Sequence, residues 1–399
     1  MTYNNAVKHI RSLKSHSKSG GELARRLYST AIATATETRY VSICGDAGKT
    51  SCARMLTSIL SECGYKVGYY SYSAAAEPRE RIKIKEKDIP HAEFAAIAKS
   101  ILDTASGDET LTENDIILAI ALTYFSSNGC DAIIFERSLS EDAPLIEPPV
   151  LSVITSVLDS FPSTYSEHIV PRGTKETVTS IQHKHVYGEI SKTCANVGCR
   201  LSLPIYSDLE VNKITLFNTR FGYRGGEYSL KTFSPCQLLN AITVIEAAHA
   251  LARIGMNITD GNIVKGLANS QLPLLCQAIT IEPTLIVATV ESPSELNALV
   301  ASLAQVCELL HRRVTVFTSP AASELTADLP ARLSTCSIEC DRVLVLDSSN
   351  QHEFKEKVSN IVAPLSKEEN KEYAAVFVGN REFISELDVQ IKKTLGNFT

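Results

Sequence analysis

The sequence predicts an α/β protein, with a P-loop-type central ATPase-like domain on a mostly parallel sheet and a smaller Rossmann-like α/β domain at the C-terminal end. Three observations carry this. Short apolar runs alternate with helical periodicity along the 399 residues, the pattern of a parallel sheet covered on both faces. A glycine loop, Gly45-Asp46-Ala47-Gly48-Lys49-Thr50-Ser51, separates a β-prone run from a helical one. The chain is also too long for one ordinary core, so two or three domains are expected.

Residues 5 to 38 carry Ile10, Leu13, Leu23, Leu27 and Ala31 among basic residues, with a polar break at Ser17 to Gly21. This reads as two short surface helices, a lead-in over 1–38. Tyr40 to Cys44 is the first strand. Behind the glycine loop, Met55, Leu56, Ile59, Leu60 and Cys63 mark one buried helical face. Strand, glycine loop and helix start in that order make a phosphate site. Backbone N–H groups turn toward phosphate oxygens, the helix terminus adds its dipole, Lys49 brings a charge, and a hydroxyl reaches Mg²⁺. Only the short form Gly-x-x-Gly-Lys-Thr-Ser is present, since Ile43 stands where a full Walker A motif has glycine. A plain Gly-rich turn with an exposed lysine is the other reading of the same stretch.

Gly64 stops the helix and Tyr65 to Tyr70 is a second strand; Glu80 to Lys85 alternates like a half-exposed strand with a solvated charged face. Thr112 with Asp115 caps a helix through Phe125 that is apolar nearly all round and therefore buried. Ala132 to Phe135 is an apolar strand ending in Glu136, and Leu151 to Val157 another ending near Asp159. Ligands of such sheets bind at the carboxyl ends of strands, where Gly45, Glu136 and Asp159 fall, and a carboxylate there suits Mg²⁺. An ordinary strand-end carboxylate explains Glu136 alone equally well. Ser180 to Cys199 suggests a helix, His183 and His185 are read as sharing a strand face or sitting in a loop, and Ile214 to Leu230 as antiparallel strands with a Gly225-Gly226 turn. Helices follow at Leu238 to Ile254 and Thr259 to Leu267. Past a boundary at 271–283, Leu285 to Val290, Arg313 to Phe317, Arg342 to Leu346 and Ala374 to Val378 repeat the α/β pattern. The expected domains are 1–38, 39–272 and 273–399.

Composition narrows the partners. Hydrophobic residues make up 44% and charged residues 21%, as in folded globular chains. A net charge of −6 with no basic run argues against nucleic acid, which needs a concentrated cationic face. No stretch is long and apolar enough for a membrane span, and no signal sequence opens the chain. Eleven cysteines, odd in number and without zinc spacing, suit a reducing cytoplasmic location.

Taken in order, these motifs resemble the Mur ligase superfamily, and within it folylpolyglutamate synthase and dihydrofolate synthase. Gly45 to Ser51 is similar to the family's Gly-Thr-Asn-Gly-Lys-Gly/Thr-Ser/Thr. Gly64 to Tyr70 resembles the strand before its substrate loop, and Glu80-Arg81-Ile82-Lys83-Ile84 its Asn-Glu-Arg-Ile-Arg-Ile. Ile154 to Asp159 resembles Ile-Thr-Ser-Ile-Gly-Leu-Asp-His, and Gln237 to Ala241 its His-Gln-x-x-Asn-Ala helix start. The resemblance implies ATP-dependent phosphorylation of a small-molecule acid, then attack by an amino acid to give an amide, ADP and phosphate. It implies ATP and Mg²⁺ as cofactors, Lys49 on the phosphates, Ser51 and Glu136 on Mg²⁺, and Asn240 near the nucleotide base.

The family's Glu-Val-Gly-Leu-Gly-Gly is Glu136-Arg137-Ser138-Leu139-Ser140-Glu141 here, and its Asp-His pair is Asp159-Ser160. Its carbamylated-lysine segment falls near Tyr165 to His168, without lysine, and its Ser-Pro-His loop at Tyr72-Ser73-Ala74. Its Pro-Gly-Arg and Asp-Gly-Ala-His-Asn-Pro become Pro273-Leu274-Leu275 and Ala288 to Pro293. Two readings therefore stand: an active carbon–nitrogen ligase, and a degenerate ligase-fold protein that binds nucleotide or a protein partner. A P-loop kinase or GTPase is weaker, because no Asp-x-x-Gly or Asn-Lys-x-Asp accompanies the loop.

Overall fold

The computed structural model describes residues 1–13, 22–32, 38–72, 77–105, 111–137, 139, 148–157, 169–272, 276–282, 284–306, 313–365 and 373–396. It divides into two compact units, residues 1–206 with 239–270, and residues 207–238 with 271–399.

The first unit opens with helices α1 (Tyr3–Arg11) and α2 (Glu22–Ile32), then β1 (Arg39–Cys44), α3 (Lys49–Glu62), β2 (Val67–Tyr70), β3 (Ile82–Ile84), β4 (Lys87–Asp88), α4 (His91–Thr104) and α5 (Glu113–Ser127). There follow β5 (Ala132–Glu136), β6 (Leu151–Ile154), β7 (Glu176–Thr179), α6 (Lys184–Val197) and β8 (Arg200–Ser202). The eight strands run in the order β4-β3-β2-β5-β1-β6-β7-β8. Pairing is parallel from β2 to β8, and only β3 and β4 are antiparallel. Strand β1 lies at the centre, paired to β5 on one side and β6 on the other.

One face of the sheet carries Tyr40, Ile133 and Phe135 against α1, α2, α4 and α5, a core that takes in Ala6, Ile10, Tyr28, Phe94 and Phe125. Helices α1 and α2 are thus half-buried, not surface elements, because Ala6 and Ile10 on α1 and Ala24 and Tyr28 on α2 are buried in this core. On α5, Thr112 caps the helix and Asp115 completes the capping box; Asp115 is fully buried and accepts from Tyr28 at 2.7 Å. Helix α6 covers Cys44 and Ile154 further along the sheet. His183 is the N-cap of α6 and His185 lies in its first turn, which replaces the strand or loop expected for this pair. The segment at Glu80 starts as a 3-10 turn, Pro78–Arg81, before β3. Helix α4 and strands β7 and β8 had no expected counterpart.

The second unit holds β9 (Leu209–Ile214), β10 (Thr219–Tyr223) and β11 (Gly226–Leu230), an antiparallel three-stranded sheet with its tight turn at Arg224-Gly225. Helices α7 (Pro235–Arg253) and α8 (Asp260–Asn269) come next, and from Leu239 onward they belong to the first unit. The second unit continues with β12 (Gln277–Thr280), β13 (Thr284–Thr289), α9 (Pro293–Gln305), β14 (Arg313–Thr318), α10 (Leu329–Thr335), β15 (Cys340–Val345), α11 (Gln351–Leu365), β16 (Tyr373–Gly379) and α12 (Arg381–Gly396). Its larger sheet has the order β12-β13-β16-β14-β15, parallel except for β12. Strand β16 inserts between β13 and β14, and its run Ala374 to Val378 is buried on both faces, which explains why that stretch is continuously apolar. Leu216 and Phe233 share a core with Ile286, Val316 and Val376, which places 207–238 in this unit.

Among the described residues no helix is long and apolar enough to cross a membrane.

Candidate functional site: a phosphate loop joined to a strand-end carboxylate

Three neighbouring strands deliver the site from their carboxyl ends. Strand β1 leads into Gly45, β5 ends on Glu136, and β6 runs into Thr155 and Ser156. Because β1 pairs with both of the others, the three ends lie side by side, where open α/β sheets bind ligands.

The loop uses its two glycines for different reasons. Gly45 has φ +139°, and a Cβ there would stand 2.2 Å from Oγ1 of Thr155. Gly48 has φ +89°, serves as N-cap of α3 without any side-chain cap, and a Cβ would come 2.5 Å from Oδ1 of Asn240. Each position therefore excludes a side chain both by backbone conformation and by space. The first turn of α3 has N–H groups on Lys49, Thr50 and Ser51 that no intrahelical carbonyl can satisfy. Upstream, the N–H groups of Asp46 and Ala47 donate to the Ser156 carbonyl at 2.8 and 3.2 Å. Those two amides anchor the loop to the β6 end, and the amides left without an intrahelical partner are the ones at the start of α3.

Lys49 folds back over the loop, donating from Nζ to the carbonyls of Gly45 at 2.6 Å and Asp46 at 3.1 Å. Thr50 donates from Oγ1 to Oε1 of Glu136 at 2.8 Å. The other carboxylate oxygen accepts from the Tyr69 hydroxyl at 2.7 Å and from Ser71 at 2.9 Å. Glu136 is fully buried, yet these hydroxyl donors replace the hydration it has lost. Burial, reinforced by the neighbouring Glu136 charge, pushes the Tyr69 hydroxyl and the Cys52 thiol up, so both stay protonated. Burial lowers the Arg137 guanidinium, whose amide continues the ladder to Ile43.

Ser51, expected beside Glu136, is fully buried and its Oγ has no hydrogen-bond partner among the described residues. It is Thr50 that reaches the carboxylate. Both hydroxyls therefore sit at the loop, one committed and one available. Asn240 packs its side chain on Gly48, so it borders the phosphate loop itself. Asp159 and the segments 73–76, 158–168 and 273–275 lie outside the described residues.

Four supporting residues escaped the sequence reading. Arg81 is buried, donating to the Ser71 carbonyl at 2.9 Å and the Tyr70 hydroxyl at 2.6 Å, and thereby fixes the strand end that carries Ser71. Gln182 donates to the Thr155 carbonyl at 2.7 Å and accepts from the Val157 amide at 3.1 Å, clamping the turn that holds the loop amides. Tyr69 and Ser71 straddle Tyr70 at the end of β2, a period-2 pair that could have been read as facing one side.

The fold is of the α/β class, with a glycine loop at a strand–helix junction hydrogen-bonded to a buried strand-end carboxylate. No family model matches the chain. In sequence it is 26% identical over 363 residues to the folylpolyglutamate synthase of Lacticaseibacillus casei, covering 84% of this chain and 83% of that protein. In structure, the folylpolyglutamate synthetase from Lactobacillus casei superposes with a TM-score of 0.77 at 22% identity, covering 99% of this chain and all of that one. A complex described as FPGS–AMPPCP–folate gives 0.76 at 21% identity over 98% of this chain and 100% of its own. The chain is thus similar in sequence to folylpolyglutamate synthase and shares its fold along nearly its whole length.

Proposed function

We propose that this protein is an ATP-dependent amide-forming ligase that couples an amino acid to a carboxylic acid through an acyl phosphate, with a folate-type acid and glutamate as its first candidate substrates. The observation that carries the reading is the Thr50–Glu136 hydrogen bond, which joins the phosphate loop to a strand-end carboxylate. The relatives named above support it: the synthases are ligases, and one structure holds an ATP analogue together with folate.

The residues present suit ATP and Mg²⁺. The glycines leave a cradle that a Cβ would fill, and the buried Ser51 hydroxyl is an unused ligand. In this reading the first-turn amides of α3 and Lys49 hold the phosphates, and Lys49 exchanges the Gly45 and Asp46 carbonyls for phosphate oxygens. Glu136 with Ser51 or Thr50 would hold Mg²⁺, which supplies neutralisation of the charge that spreads over a transferred phosphoryl group. The buried network around Glu136 keeps the carboxylate oriented, so little reorganisation is needed when charge develops. We assign Asn240 to the nucleotide side of the loop, the unit of residues 1–206 with 239–270 to ATP binding and the unit of residues 207–238 with 271–399 to the second α/β part, and a reducing cytoplasm as the compartment.

The test is incubation with Mg-ATP, a reduced folate or dihydropteroate, and L-glutamate, followed by ADP release and mass spectrometry. Gain of one glutamyl unit by the acid, stoichiometric with ADP, supports the proposal. Absence of both with either acid overturns the folate-type substrate, and absence with a wider panel of acids and amines overturns the ligase.

A further inference from the structure

The outer face of the β9-β10-β11 sheet carries an arrangement that the ligase reading does not use. Lys213 on β9 and Arg220 on β10 are register partners, directly opposite each other, and Arg220 is in turn opposite Ser229 on β11. Like charges placed opposite across an antiparallel pair repel and destabilise the sheet. Neither side chain has an ion pair or hydrogen bond among the described residues, and both are exposed. With Thr215, Asn218 and Ser229 they line a depression of about 210 Å³.

The local backbone is shaped around this pair. A β-bulge follows it, since Lys213 pairs with Arg220 while Val211 pairs with Phe221, leaving Asn212 as the extra residue. Asn212 donates to Oε2 of Glu227 at 2.8 Å, which engages that carboxylate with an amide. Glu210 and Glu227 both flank Gly222, two residues along β10 from Arg220 on the same face of the sheet. At the other end the Thr215 hydroxyl and the Asn218 amide and carbonyl close a tight turn on each other, fixing the rim.

We propose that this depression is an oxyanion-binding site, taking a multiply charged group such as a run of carboxylates or a phosphate. Lys213 supplies a point charge, the Arg220 guanidinium a planar two-donor fork, and Ser229 a hydroxyl; bound anion relieves the repulsion that the two cations impose on each other. The site stands on this geometry alone and does not depend on the ligase activity.

Titration calorimetry with inorganic phosphate and with triglutamate as probes tests it, on the full chain and on Lys213→Gln and Arg220→Gln. Lys49→Ala serves as the control for anions captured at the phosphate loop. The proposal expects saturable binding in the unmodified chain and in Lys49→Ala, weakened about tenfold or more by each of the other two substitutions, since each removes a charge-assisted contact. Triglutamate binding identifies the carboxylate source and phosphate binding the phosphate source. Each substitution should also raise the thermal midpoint in the absence of anion by removing the like-charge pair, a readout independent of the ligand. Binding unchanged in Lys213→Gln and Arg220→Gln, or no saturable binding of either probe, overturns the site.

Discussion

The hydroxyl of Thr50 and the carboxylate of Glu136 are hydrogen-bonded at 2.8 Å, tying the first turn of α3 to the carboxyl end of β5. They are 86 residues apart in sequence. The contact puts a buried anion next to the part of the loop where phosphate and metal would meet. Glu136→Gln retains the size of the side chain, removes its charge and turns one of its two acceptor oxygens into an N–H donor. Steady-state ADP formation is expected to fall about a hundredfold, the cost of losing one electrostatic contact in a preorganised site. Circular dichroism should stay unchanged, and a variant with full activity would take Glu136 out of the chemistry.

Gly48 is the position where a single methyl group should do most damage to the loop. Its φ of +89° and the 2.5 Å approach of Asn240 to a Cβ act together. Left-handed backbone costs a non-glycine residue about 1–2 kcal/mol before any clash. Gly48→Ala should lower the unfolding free energy, measured by denaturant titration, by at least that amount and weaken nucleotide binding, whereas Gly64→Ala, with φ +89° but open space around it, should show the backbone cost alone.

The loop also depends on a residue outside the motif. Gln182 clamps Thr155 and Val157, and Ser156 between them accepts the amides of Asp46 and Ala47. Gln182→Ala should cost about 1–3 kcal/mol by leaving buried partners unsatisfied. It should also raise the KM for ATP more than it lowers kcat, because the loop loses its anchor and not its charged groups. An unchanged KM would separate Gln182 from the loop.

Alkaline pH should unfold the protein through buried thiols and phenols. Burial pushes Cys130, Cys194 and Cys276 up to about 12 from 9.0, and Tyr70 up to about 12 from 10.0. Each folded-state pKa exceeds the unfolded one, so the folded state binds the proton more tightly. That stabilising contribution is complete below pH 9 and declines as pH rises toward 12. Melting temperatures measured in steps across pH 7 to 11 should show this added decline beginning near 9, and Cys130→Ala should reduce it.

How far the sequence disclosed this arrangement follows from where its information lies. The central strands, the capped helix at Thr112 and the glycine loop were legible because each is written in contiguous residues: an apolar run, a capping box, two glycines before a lysine. Strand β7 and helix α4 were not, since Glu176-Thr177-Val178-Thr179 is polar for a buried strand and is stabilised by pairing with β6. In the site, Lys49 and Glu136 could be named from type and position. Thr50 in contact with Glu136, Tyr69 and Ser71 around the same carboxylate, and Gln182 beneath the loop are meetings between distant segments that no local pattern encodes.

The most direct measurement of the central claim is titration calorimetry with Mg-ATP, comparing the unmodified protein with Lys49→Ala. A functioning phosphate loop should give a dissociation constant in the micromolar range, about −8 kcal/mol, that disappears in Lys49→Ala while the fold is retained. No heat of binding up to millimolar Mg-ATP, or equal binding by both proteins, would contradict the account.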